Sequence, residues 1–135
     1  MRRRTVLAAL PLGLLASCAA QDGTSVELAR QPVRLVFFRD DSVALDPGAM
    51  SVVQDAAAVA ARYPGAPVRV LGYIAPDPDH APTIALARAR AEHVASELAR
   101  LGVARERIQV QGRGTAPFAD VPVESRRVEI HIGAA

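Results

Sequence analysis

The chain has 135 residues, half of them hydrophobic and 22% charged, with 16 basic residues, all Arg, against 14 acidic ones. Its formal charge of +2 comes from a cluster at the start, because from Cys18 onward 13 Arg face 14 acidic residues, a balance of −1, and the electrostatic case for a nucleic-acid partner disappears. One Cys leaves no internal disulfide to form, and 118 residues from Cys18 onward suffice for one domain with a single core.

Arg2, Arg3 and Arg4 precede an apolar run from Val6 to Leu15, the pattern of a signal peptide. About ten apolar residues fall short of the roughly 20 that a membrane-spanning helix needs. Behind the run stands Leu15-Ala16-Ser17-Cys18, which resembles the lipobox of bacterial lipoproteins. That resemblance implies cleavage before Cys18, a diacylglycerol thioether on its sulfur and a third acyl chain on its freed amine. Each buried methylene contributes about 0.8 kcal/mol, so several chains hold a soluble domain at a bilayer. Cleavage after Ala19 or Ala20, giving an ordinary secreted product, is the alternative. Ala19 is not the Asp that retains many lipoproteins in the inner membrane, so the resemblance implies an outer-membrane lipid anchor with the domain in the periplasm. The expected division is a signal peptide over 1–17, a lipidated tether over 18–31 and a domain over 32–135.

Residues 19 to about 31 carry no sustained apolar period and read as a linker. Val33 to Phe38 is apolar, β-branched and aromatic, which predicts a buried first strand. Asp46-Pro47 starts a helix, with Asp46 as N-cap and Pro47 at the first helical position. Val52, Val53, Ala56, Val59, Ala60 and Tyr63 follow on one face until Pro64-Gly65 stops it. Val68 to Gly72 is a second strand, and the loop from Ile74 to Pro82, with Pro76, Pro78 and Pro82, excludes regular structure. A second helix runs roughly from Thr83 to Leu101, with Ala87, Ala91, Val94, Leu98 and Leu101 inward and Gly102 as a left-handed cap. Ile108 and Val110 mark a third strand; Val128, Ile130 and Ile132, alternating with Glu129 and His131, mark a fourth. The order β-α-β-α-β-β predicts an α+β fold, a two-layer sandwich with two helices packed on one mixed sheet.

Three stretches resemble the OmpA-like C-terminal domain family. The first is Val36-Phe37-Phe38-Arg39-Asp40-Asp41-Ser42. The second is Gly72-Tyr73-Ile74-Ala75, a loop, then Thr83-x-x-Leu86-Ala87-x-x-Arg90-Ala91-x-x-Val94-x-x-x-Leu98. The third is Gly112-Arg113-Gly114 followed by Ser125-Arg126-Arg127-Val128-Glu129-Ile130. The resemblance implies a non-enzymatic module that binds the diaminopimelate of the peptidoglycan stem peptide and tethers the outer membrane to the wall. In the family a loop Asp meets the ligand ammonium and a helix Arg its carboxylate. Here the Arg is Arg90 and the Asp position holds Ala75, with Asp77 and Asp79 further along the same loop as substitute acids.

The expected peptidoglycan-binding residues are accordingly Arg90, Tyr73, Asp77, Thr83 and Arg126, beside the lipid anchor Cys18. On a helical wheel Arg90 lies about 60° from the centre of the inward stripe, at its border. One of Arg126 and Arg127 must face the cleft, because neighbours on a strand point to opposite faces. Asp77, Asp79 and His80 contain metal-ligand chemistry, but His93 and His131 read as outward-facing, and neither a metal nor another cofactor is expected. No Gly-x-Ser-x-Gly elbow occurs, and Gly112-Arg113-Gly114 opens no helix as a phosphate loop would. The alternative to wall binding is a domain that has lost its ligand and docks onto other envelope proteins.

Overall fold

The computed structural model describes residues 26–39, 41–74, 84–115 and 126–133. A helical turn over residues 26–29 leads into β1 (Arg34–Phe37), α1 (Pro47–Arg62), β2 (Val68–Ile74), α2 (Ile84–Arg100), a short 3-10 turn (Arg105–Arg107), β3 (Ile108–Thr115) and β4 (Arg127–Ile132). The strands form one mixed sheet in the order β1-β4-β2-β3. β4 is antiparallel to both β1 and β2, and β3 is parallel to β2, so β1, β2 and β3 all run the same way. Strands that run the same way in one sheet require long crossovers, and α1 from β1 to β2 and α2 from β2 to its neighbour β3 are those crossovers. The two-layer α+β architecture is the expected one.

Local chemistry sets the helix limits. Asp46 Oδ1 accepts from the Ala49 amide at 2.8 Å, and Pro47 occupies the first turn, where it forfeits no hydrogen bond. At the far end of α2, Gly102 adopts φ 104°, its amide donates to Ala99 O and the Val103 amide donates to Leu98 O. These paired bonds form a Schellman cap, sealed by buried Leu98 and Val103.

The core lies between the helices and one sheet face. Val53, Ala56 and Ala60 of α1 and Ala91, Val94 and Leu98 of α2 meet Val36, Val68, Val70, Val128 and Ile130, all fully buried. Gly72 and Gly112 face each other in register across β2 and β3. A Cβ on Gly72 would overlap the Ala87 carbonyl, and one on Gly112 would press on the Ile84 carbonyl and Arg88. This glycine floor lets the first turns of α2 lie directly on the sheet.

Two expectations change. The first strand is not buried: Val33, Leu35 and Phe37 are 44%, 40% and 43% exposed, while Val36 and Phe38 turn inward. β1 is an edge strand of a sheet with helices on one face, so its alternate residues meet the open face. The second change is length. β2 continues to Ile74 and β3 to Thr115, so the Gly112-Arg113-Gly114 run lies inside β3, with a register shift opposite Gly72 and Tyr73 and Gly114 at φ 76°. A positive-φ Gly beside an extra residue is how a ladder absorbs a bulge.

Candidate functional site

Because β1, β2 and β3 are parallel, their C-terminal ends emerge at one pole, where β4 and α2 begin. Arg90, Arg126 and Tyr73 all lie toward this end. Asp77 and Thr83, like Ala75, Asp79, His80 and the anchor residue Cys18, fall outside the described residues.

Arg90 is the best-defined feature of the pole. It is 1% exposed, the only charged side chain in the core among the described residues. Its Nε donates to Ser42 O at 2.9 Å and its Nη2 to Arg39 O at 3.2 Å, and its guanidinium carbon lies 5.2 Å from the centre of the Phe38 ring. The wheel placed it at the border of the inward stripe. It is buried because the β1–α1 loop folds over that border and supplies carbonyl acceptors, which a buried guanidinium requires.

The loop itself is a compact turn. The Ser42 amide donates to Arg39 O, and Ser42 Oγ accepts from the Ala44 amide at 2.9 Å. Three residues after Arg90, His93 Nδ1 lies 2.6 Å from Val43 O and donates to it. Reading His93 as outward-facing missed this role. The signal that would have found it is the i, i+3 spacing from Arg90, which puts both on the same flank of α2.

Arg126 joins this face. The Phe38 amide donates to Arg126 O at 2.9 Å, extending the β1–β4 ladder beyond the Phe37–Arg127 pair. Alternation then places Arg126 on the helix-bearing face with Val128, and Arg127 on the open face. Arg127 ion-pairs with Glu129 at 2.9 Å and stacks 5.0 Å from the Tyr73 ring centre, while His131 Nε2 meets Glu129 Oε2 at 3.0 Å. Tyr73, packed with Leu71, thus belongs to the open face, and the sheet separates it from Arg90. The sequence grouping of Tyr73 with Arg90 is not reproduced, because Gly72 is the residue of this pair that faces α2.

Among the described residues no three His, Cys, Asp or Glu side chains converge as metal ligands, and no helix is long and apolar enough to cross a membrane. The chemistry on offer is a buried planar donor fork, the geometry that recognises a carboxylate.

A mixed four-stranded sheet backed by two helices, with a helix-borne arginine at the end where three parallel strands emerge, defines the class of this molecule as a two-layer α+β module. The model of the OmpA family matches residues 37–127, and the chain belongs to that family. Solved structures share the fold. The peptidoglycan-associated lipoprotein from Burkholderia pseudomallei superposes with a TM-score of 0.65 at 21% identity, over 73% of this chain and 89% of its own. The C-terminal domain of Helicobacter pylori MotB gives 0.66 at 23% identity, over 75% and 84%. The OmpA-like domain of FopA1 from Francisella tularensis subsp. tularensis SCHU S4 gives 0.65 at 21%, over 73% and 69%. No curated protein matches the sequence significantly.

Proposed function

We propose that this chain is a cell-envelope lipoprotein whose OmpA-like domain binds peptidoglycan non-covalently, through the diaminopimelate centre of the stem peptide, and so ties the outer membrane to the wall. Lipid on Cys18 is the membrane end of the bridge. The observation that carries the wall end is Arg90, a buried guanidinium held by the β1–α1 loop at the pole where the family resemblance places the ligand. A ligand carboxylate pairs with that fork and competes with the Ser42 and Arg39 carbonyls for it. Charge-assisted bonds of this kind contribute about 1.5–3 kcal/mol each. Asp77 takes the ligand ammonium that Ala75 cannot, with Thr83 and Arg126 bracing the peptide; Tyr73 acts only through the sheet. The fold shared with a peptidoglycan-associated lipoprotein supports this reading.

A second reading draws on the same arginine. Arg90 already holds two backbone carbonyls, so it has a structural task without any ligand. With Ala75 in place of an acid, the domain is then a docking element for other envelope proteins. Sedimentation of the protein with purified sacculi, competed by a diaminopimelate stem peptide, separates the two. Competed co-sedimentation supports the first, and recovery of all protein in the supernatant supports the second.

A further inference from the structure

At the pole away from Arg90, the segment entering the domain is packed onto it. The helical turn over residues 26–29 continues with the Arg30 amide donating to Glu27 O and the Gln31 amide to Leu28 O. Leu28 is half-buried against the core and lies directly over Gly133, where any Cβ would overlap it. The Glu27 and Gln31 side chains act on the hydroxyl of buried Tyr63. Gly133, whose amide donates to Pro67 O, closes the end of β4 beside the start of β2. All of these contacts therefore lie at the end of the sheet opposite Arg39, Ser42 and Arg126.

We propose that residues 26–31 are a strap that fixes where the tether leaves the domain, on the pole opposite Arg90, and so turns the Arg90 end away from the surface holding Cys18. The inference rests on the membrane anchoring proposed above. Chain length gives it force. A chain spans at most about 3.5 Å per residue, so with the strap docked Cys18 lies within about 28 Å of Val26. Released as far as Arg34, the same tether reaches about 56 Å. A domain of this size is roughly 30 Å across. The docked tether must be stretched to nearly its full length for the domain to roll its Arg90 end onto the bilayer, which costs chain entropy, and the released one has slack to spare.

The test uses the chain from Cys18 onward, which keeps every described residue. It is coupled through the Cys18 thiol to a maleimide lipid in phosphatidylcholine vesicles, so it does not depend on natural acylation; mass spectrometry of the native protein tests that separately. A fluorescent amino acid is placed at Gly65, on the strap pole, or at Asp41, on the Arg90 pole, and quenched by headgroup spin-labelled lipid. We expect at least threefold stronger quenching at Gly65 than at Asp41. Leu28→Asp should equalise the two, and remove hydrogen-exchange protection from the Arg30 and Gln31 amides, with the circular dichroism of the domain unchanged. Equal quenching in the unsubstituted chain, or a difference that survives Leu28→Asp, overturns the proposal.

Discussion

Arg90 Nε and the Ser42 carbonyl are joined at 2.9 Å across 48 residues of sequence, tying α2 to the loop that leaves the first strand. The bond makes one side chain answerable for both the shape of the candidate site and the stability of the fold. Arg90→Met, close in volume but without donors, takes its donor from the Ser42 carbonyl and leaves Arg39 O with the Ser42 amide alone. It should destabilise the domain by about 2–3 kcal/mol in urea unfolding. Arg90→Lys, which supplies one point donor in place of a fork, should recover only part of that loss.

A second arginine does the same work at the other pole. Arg107 Nε donates to Ala66 O at 2.9 Å, and its Nη2 to Ala60 O and Tyr63 O at 2.9 and 2.7 Å. Ala60 and Tyr63 lie at the C-terminal end of α1, where a helix runs short of intrahelical donors, and Ala66 lies in the turn that leads to β2. Arg107→Ala should cost about 2 kcal/mol of stability, measured by the same unfolding, without weakening any ligand interaction at the Arg90 end.

The glycine floor gives a sharper contrast. Gly72→Ala drives a methyl into the Ala87 carbonyl. The helix must lift, at a cost of about 3 kcal/mol or more, because overpacking against backbone has no side chain to yield. Gly65→Ala meets nothing within 4 Å and has no left-handed backbone to strain. It should be neutral or stabilise by about 0.4–1 kcal/mol. Thermal melts of the two variants check both signs.

Tyr63 supplies a prediction in pH. The hydrogen bond with Glu27 raises its pKa above the ordinary 10.0; burial and the Glu27 charge add to this, and Arg62 and the Gln31 bond oppose it. A raised pKa in the folded state means that the contact stabilises the protonated phenol. That contribution is complete below pH 10 and is lost as pH rises through the folded value. In a Tyr73→Phe background, tyrosinate absorbance should report a single titration above the usual phenol range, and Glu27→Gln should bring it down.

Much of this fold could be read from the chain. Asp46-Pro47 and Gly102 fix helix ends by backbone rules that need no tertiary context, and the alternation of Val128, Ile130 and Ile132 states which face is buried. The exposure of Leu35 and Phe37 was hidden, because a run of apolar residues does not say whether its strand lies at an edge. Arg90 was found by resemblance, but its burial depends on the Arg39 and Ser42 carbonyls, and no periodicity encodes which distant backbone will satisfy a guanidinium. Tyr73 is grouped with Arg90 by the same resemblance, and a motif does not say that one step along a strand moves a side chain through the sheet. The contacts of residues 26–31 were missed because Val26, Leu28 and Ala29 are too few to set a sustained apolar period, and the partner of Leu28 is a glycine.

The place of β4 between β1 and β2 has a consequence for how the molecule comes into being. β4, which follows the other described strands in the chain, is the keystone: β1 and β2 never pair with each other and join one sheet only through it. A nascent chain lacking residues 127–132 holds its two helices but cannot close the layer beneath them. Closure of the sheet must then wait until residues 127–132 have been made, so the order of the strands in the sheet, and not their order in the chain, sets when the core is sealed.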